Sequence, residues 1–246
     1  MVHDPVCLME LNPRKAKAVA KHLGRSYYFC SENCKKTFLE QPETFLHKAP
    51  GMRLTVGVMG SADKDQSPQG KAIAYELGQA IAEQGFVLIT GACPGLPYEC
   101  ARGALSRDGM SVGVSPALSL DEHVHKYHSP SDSFDVLIYT GSGLMGREVT
   151  NIRSSDMVII LGGRSGTLGE FAIAFDEGKL IGVLEGSGGI TEKISDIVDS
   201  FGDKDTGARL VYDADPKQLI EKLSHIYLTT HYKHPSNFCN DTSPAG

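Results

Sequence analysis

Arg147 and Glu170 are two side chains whose types and setting suit catalysis on a phosphorylated ligand. Between them lies Met157–Leu161, a short continuous apolar run typical of a parallel strand covered on both faces. It runs into Gly162, Gly163, Arg164, Ser165, Gly166 and Thr167. The glycines permit backbone angles that a Cβ forbids and let a ligand approach the main chain. A helix opening at Thr167 or Leu168 would present free N–H groups and a positive dipole end, an anion site, with Glu170 about one turn in. Arg147 stays charged and can grip phosphate bidentately. Beside Glu170 it is expected to keep the carboxylate ionised. Such a carboxylate can stabilise the charge developing at C1′ as an N-glycosidic bond breaks, or activate the attacking water. Two plainer readings stay open on residues alone: glycines that only make a tight turn, and an Arg–Glu ion pair joining adjacent helices.

A second chemistry resides in the first fifty residues. Cys30 and Cys34 form a C-x3-C pair directly after the aromatic stretch Tyr27-Tyr28-Phe29, where a helix begins, and Cys7 lies in a turn after Asp4-Pro5-Val6. Helix N-terminal N–H groups lower a thiol pKa, and thiolates are natural ligands of zinc or another soft transition metal. Three thiolates need a fourth donor for a closed tetrahedral site. His3, Asp4, His22 and His47 are the nearby candidates. His123, His125 and His128 form a further cluster at i, i+2 and i+5, which suits either a metal or a loop over the site.

The elements that must position these groups alternate strand and helix. Strands are expected at 53–58, 86–89, 110–114, 134–139, Met157–Leu161, 179–184 and 209–212. Between them lie helices, the first capped by Ser67 with Pro68 in its first turn. This alternation predicts an α/β fold, a doubly wound parallel sheet of Rossmann type. Ligands bind such sheets at the carboxyl ends of the strands. The loops carrying Gly60 and Ser61, Gly91 and Gly95, Gly141 and Ser142, and residues 162–167 are therefore expected to converge on one crevice. The pattern is not the GxGxxG dinucleotide fingerprint, which argues against ordinary dehydrogenase chemistry. Pro50-Gly51 reads as a domain boundary, giving a small module at 1–50, a large domain at 51–230 and a loose tail at 231–246.

Composition narrows the partners. A formal charge of −6 in 246 residues argues against a large nucleic-acid surface. The chain shows neither a signal peptide at MVHDPVCLME nor an apolar run of membrane-spanning length, so a cytoplasmic location is expected. Six cysteines there are thiols or metal ligands rather than disulfides.

Two resemblances sharpen these expectations. DPVCLM at 4–9, YYFCSENCKKTF at 27–38 and Pro42-Glu43-Thr44-Phe45 resemble the YHS/TRASH family of small metal-binding modules, with Leu8 where the family has glycine. That implies a treble-clef-like fold holding a transition metal through Cys7, Cys30 and Cys34. Arg147, the strand at Met157–Leu161 and Gly163-Arg164-Ser165-Gly166-Thr167-Leu168-Gly169-Glu170 resemble the LOG family, part of the wider SLOG group that includes DprA-like domains. LOG enzymes cleave a nucleoside 5′-monophosphate to free base and ribose 5-phosphate. The resemblance implies phosphate contacts from Gly163, Gly166 and Thr167, catalysis by Arg147 and Glu170, no required cofactor, and a homodimer. Here Gly162 replaces the family's proline, Arg164 its second glycine, and Gly169-Glu170 its double glutamate. The competing expectation is a protein that binds a nucleotide or nucleotide-like cofactor without turnover, while the cysteines report metal.

Overall fold

The computed structural model describes residues 2–22, 25–46, 53–202 and 205–231. The chain divides into two units, Met1–Leu54 and Thr55–Gly246. His47, the turn expected at Pro50-Gly51 and most of the tail expected from 231 lie outside the described residues.

In the first unit, β1 (Val2–His3) and β2 (Glu10–Leu11) form a short antiparallel pair. A second hairpin joins β3 (Ala18–His22) to β4 (Arg25–Phe29). Period-two alternation turns Ala18 and Ala20 inward and Val19 outward. Helix α1 (Glu32–Glu40) starts directly after Cys30, with Ser31 as N-cap accepting from the Cys34 N–H at 3.2 Å. Its Phe38 packs on Tyr27 and Phe29, ring centroids 4.9 and 5.2 Å away. Helix α2 (Pro42–Leu46) follows. So small a core suits a module that gains stability from a bound metal.

The second unit holds seven parallel strands, β5 (Thr55–Gly60), β6 (Val87–Thr90), β7 (Ser111–Ser115), β8 (Val136–Tyr139), β9 (Met157–Leu161), β10 (Leu180–Leu184) and β11 (Arg209–Asp213). Their order across the sheet is β11-β10-β9-β5-β6-β7-β8. The chain winds outward from β5 to β8, returns to β9 on the other side of β5, and winds outward again. The winding reverses between β5 and β9, the place where such sheets open a ligand crevice. Helix α3 (Pro68–Glu83) packs with α4 (Leu96–Leu105) and with α9 (Pro216–Thr229), and α6 (Gly143–Arg153) packs with α7 (Ser165–Asp176). Every residue of β9 is buried, as a strand covered on both faces requires. Val158 and Ile160 join Met59, Ile152, Phe171 and Ile181 in one core cluster. Among the described residues no helix is long and apolar enough to cross a membrane.

Three sequence expectations need correction. Helix α7 opens at Ser165, earlier than the expected Thr167 or Leu168, because its capping position is Arg164 rather than a side-chain cap. Strand β5 continues to Gly60, which pairs with Leu161 of β9, so Gly60 ends the strand instead of starting the loop. The segment carrying the histidine cluster is not a loop throughout. Ser119 accepts from the Glu122 N–H at 3.2 Å and caps a short helix, α5 (Leu120–His125).

Candidate functional site

At the reversal between β5 and β9 lies a cavity of about 430 Å³, in the size range of small-molecule sites. Gly60, Ser61 and Asp63 reach it from the end of β5, and Gly91 and Cys93 from the loop after β6. Arg164, Ser165, Gly166, Thr167 and Glu170 reach it from the turn after β9 and the first turns of α7, and Leu144, Arg147 and Glu148 from α6. The sequence-derived groups Gly95, Gly141, Ser142, Gly162 and Gly163 are not in its lining. Gly141 instead packs beside the Leu118 side chain, and Ser142 bonds Thr140 Oγ1 at 2.9 Å. Gly163, at φ +91°, backs onto the Thr167 side chain and accepts from the Ile190 N–H, so it shapes the turn from behind. No side chain caps α7, which leaves its first-turn N–H groups to a ligand.

Arg147 and Glu170 meet as expected, Nη1 to Oε1 at 3.5 Å. Each is 7% exposed, so the pair is nearly dry. Burial works against the expectation that Arg147 keeps Glu170 ionised. Burial outweighs the attraction of Arg147, and the nearby Glu148 charge adds to burial, so the Glu170 carboxyl is pushed up to about 7. Glu148, which the sequence reading missed, is also raised by burial, with Arg147 pulling the other way. The only signal for Glu148 was its place beside Arg147, and helix periodicity alone does not tell which of two neighbours faces a ligand. Arg147 Nε is buried without a hydrogen-bond partner among the described residues, a donor held near the cavity.

Arg164 neither fills the cavity nor lies free. Its Nη2 is 2.6 Å from Asp63 Oδ2, linking the turn after β9 to the loop after β5 at the cavity edge. Cys93 is a protonated thiol at neutral pH, since burial pushes it up to about 11 against the pull of Arg147. Burial likewise raises Cys100, packed inside α4.

In the first unit, Cys7, Cys30, Cys34 and Asp4 each offer a ligand atom within 4.8 Å of the others. The Cys30 Sγ lies 3.5 Å from Cys7 Sγ and 3.6 Å from Cys34 Sγ. Of the proposed fourth donors among the described residues, His3, Asp4 and His22, Asp4 is the one brought to the thiols. His22 instead stands edge-on to Phe38, with centroids 5.8 Å apart. Asp4 is fully buried, and it accepts from the N–H groups of Cys30 at 2.7 Å, Val6 at 2.9 Å and Cys7 at 3.4 Å. Burial alone would raise its carboxyl, but those donors hold it below the usual carboxylate range. Cys30, bonded to Asp4 and to both neighbouring thiols, is pushed up to about 12. A soft cation reverses that preference by pairing with the thiolates, so the donor set fits a thiophilic metal.

A family model described as the SLOG cluster4 family matches residues 53–220. The chain belongs to the SLOG cluster4 family. The YHS domain model matches residues 2–49, so this SLOG cluster4 chain also carries a YHS domain. An uncharacterized protein of Archaeoglobus fulgidus is 36% identical over 132 residues, 54% of this chain and 80% of that protein. A copper-transporting P-type ATPase of Rhizobium leguminosarum is 44% identical over 46 residues, 19% of this chain and 6% of that protein. Among solved structures, TM1055 aligns with a TM-score of 0.62 at 24% identity, covering 70% of this chain and 99% of that one, a likeness of fold. The molybdenum cofactor binding protein of Rippkaea orientalis aligns with a TM-score of 0.58 at 29% identity, covering 71% and 97%. The molybdenum cofactor carrier protein of Chlamydomonas reinhardtii aligns at 0.56 and 28%, covering 71% and 98%. The SLOG cluster4 domain thus has a Rossmann-like fold and is joined in one chain to a YHS domain.

The histidines expected as a cluster do not act as one. His123 is fully buried, its Nδ1 2.8 Å from Ser115 Oγ and its Nε2 2.9 Å from the Pro130 carbonyl, while His125 is exposed beside Asp121. His123 anchors α5 to the sheet of this SLOG cluster4 domain.

Proposed function

We propose that the crevice binds a nucleoside 5′-monophosphate or a closely related phosphorylated nucleotide and hydrolyses its N-glycosidic bond. The observation that carries this reading is Glu170, a buried carboxyl near neutral pKa, 3.5 Å from Arg147 and one turn beyond an uncapped helix start. The first-turn N–H groups at Ser165, Gly166 and Thr167 hold the phosphate, and Arg147 adds a charged donor. A group titrating near the working pH suits general acid–base catalysis. Protonated, Glu170 hands a proton to the departing base; ionised, it draws one from the attacking water. The test is incubation with a panel of nucleoside 5′-monophosphates, scoring free base and ribose 5-phosphate. Release that disappears in Glu170→Gln supports the reading, and equal release by both proteins overturns it.

A second reading has its own support. Two structural relatives at 29% and 28% identity are a molybdenum cofactor binding protein and a molybdenum cofactor carrier protein. In that reading the crevice holds a phosphorylated, nucleotide-like cofactor without turnover. Tight binding with no product release would favour it. In either case Cys7, Cys30 and Cys34, with Asp4 close by, hold one soft cation such as zinc or copper(I), which thiolate donors select. Bound there, the cation cross-links the loop at Cys7 to the start of α1, and its charge stabilises the thiolates.

A further inference from the structure

Glu148 stands in the crevice with no internal task. It is 7% exposed, lines the cavity, and has neither a hydrogen bond nor an ion pair among the described residues. Its position is defined by two glycines of α7. The Oε1 atom lies 4.0 Å from where a Cβ at Gly166 would stand, and Oε2 lies 3.9 Å from the same place at Gly169. Gly166 and Gly169 are one turn apart and share a helix face. The carboxylate therefore lies along the first turn of α7, beside the N–H groups that form the anion site. A little-exposed carboxylate with no protein donor, lining a cavity, is a ready acceptor for a ligand that enters it. It repels a phosphate at the neighbouring N–H groups, so a hydrogen-bond donor on the same ligand suits it where the phosphate does not.

Resting on the nucleotide reading above, we propose that Glu148 is the ribose-recognition residue, accepting hydrogen bonds from the 2′- and 3′-hydroxyls of a nucleotide whose phosphate sits at Ser165–Thr167. Those hydroxyls are the donors nearest the phosphate on a 5′-nucleotide, and Glu148 stands beside Gly166 and Gly169 of the helix turn that offers the anion site. An ionised carboxylate accepts both hydroxyls of a vicinal diol, one on each oxygen. Glu170, one helical turn from Gly166, is then left for the glycosidic bond. The site is accordingly selective for ribonucleotides over 2′-deoxyribonucleotides.

The test is calorimetric titration of the full-length protein with the four ribonucleoside 5′-monophosphates and their 2′-deoxy counterparts. Binding is read independently of turnover, using the Glu170→Gln protein wherever the wild type hydrolyses the probe. Hydrogen bonds to a charged acceptor lead us to expect a ribo-over-deoxy preference of roughly tenfold to hundredfold. The preference should fall to within about threefold in Glu148→Gln, which keeps size and removes charge, and should persist in Glu170→Gln. Thermal unfolding of Glu148→Gln confirms that the fold is kept. Ribo and deoxy nucleotides binding equally to the protein with Glu148 intact overturn the proposal while leaving the nucleotide reading standing. A preference that survives in Glu148→Gln but vanishes in Glu170→Gln assigns the diol to Glu170 and also overturns it. Absence of binding by any of the eight nucleotides overturns both readings.

Discussion

The guanidinium of Arg147 rests against the backbone of Gly91, in the volume any other side chain would need: a Cβ at Gly91 would stand 2.5 Å from Arg147 Cζ and 2.9 Å from Nη2. The loop after β6 thus positions an arginine carried by α6, although it brings no side chain of its own at that point. Gly91→Ala must push the guanidinium away from Glu170 or distort the loop. Overpacking of this kind costs about 1–3 kcal/mol. We expect a fall in chemical stability of that size, and a larger proportional loss of nucleotide affinity, measured by urea unfolding and calorimetry on the same preparation. Unchanged affinity would show that Arg147 is not needed at its present place.

The raised Glu170 carboxyl makes stability depend on pH with a definite sign. Its folded value of about 7 stands above the ordinary 4.5, so the fold favours the protonated form. That contribution is complete below about 4.5, falls as pH rises toward 7 and is gone above it. The span corresponds to at most about 3 kcal/mol. Glu170→Gln cannot ionise, so its stability relative to wild type should rise by about that amount between pH 4.5 and pH 8. Parallel unfolding curves for the two proteins across that range would contradict the assignment.

The ion pair between Arg164 and Asp63 is solvent-exposed on the arginine side, with that side chain 75% exposed, and such pairs are worth about 0–1 kcal/mol. Arg164→Ala should therefore change the melting temperature little. If Arg164 turns toward a bound phosphate, the same substitution should weaken nucleotide binding by about tenfold, the worth of one charge-assisted contact. Calorimetry with and without the substitution, at low and high salt, separates the two effects.

The thiol cluster predicts the metal behaviour of the first unit. Wild-type protein purified without chelator should carry about one thiophilic ion per chain, and Cys30→Ser/Cys34→Ser none, by elemental analysis. Cys30 sits between the other two thiols, so Cys30→Ser alone should lose most of the metal. Chelation should lower the unfolding temperature of wild type and leave the double variant unmoved.

Leu8 adopts φ +61°, a left-handed conformation that costs a branched side chain on the order of 1 kcal/mol. It is 43% exposed, so little packing is lost on removing the side chain. Leu8→Gly should stabilise the metal-loaded module by no more than about 0.5 kcal/mol after the added freedom of the unfolded chain is counted. A thermal shift of the metal-loaded protein measures it.

Local sequence was enough for the seven strands, the capped start of α3, the glycine turn after β9 and the three thiols. Each is written in contiguous residues: the apolar run at Met157–Leu161, Ser67 before Pro68, glycines before a helix, and C-x3-C after an aromatic strand. The pairing of Arg147 with Glu170 was legible because one strand and one turn separate them in a fold whose winding the alternation implies. What local sequence could not decide was the balance of forces once groups became dry. Burial at 7% exposure raises the Glu170 carboxyl against the pull of the adjacent guanidinium, and desolvation is a property of the packed interior that no residue spacing encodes. The entry of Glu148 into the crevice depends on Gly166 and Gly169 of another helix, the seat of Arg147 on Gly91 of another loop, and the choice of Asp4 over His22 on how two hairpins fold together. Those are contacts between distant segments, and only the tertiary structure brings them within reach.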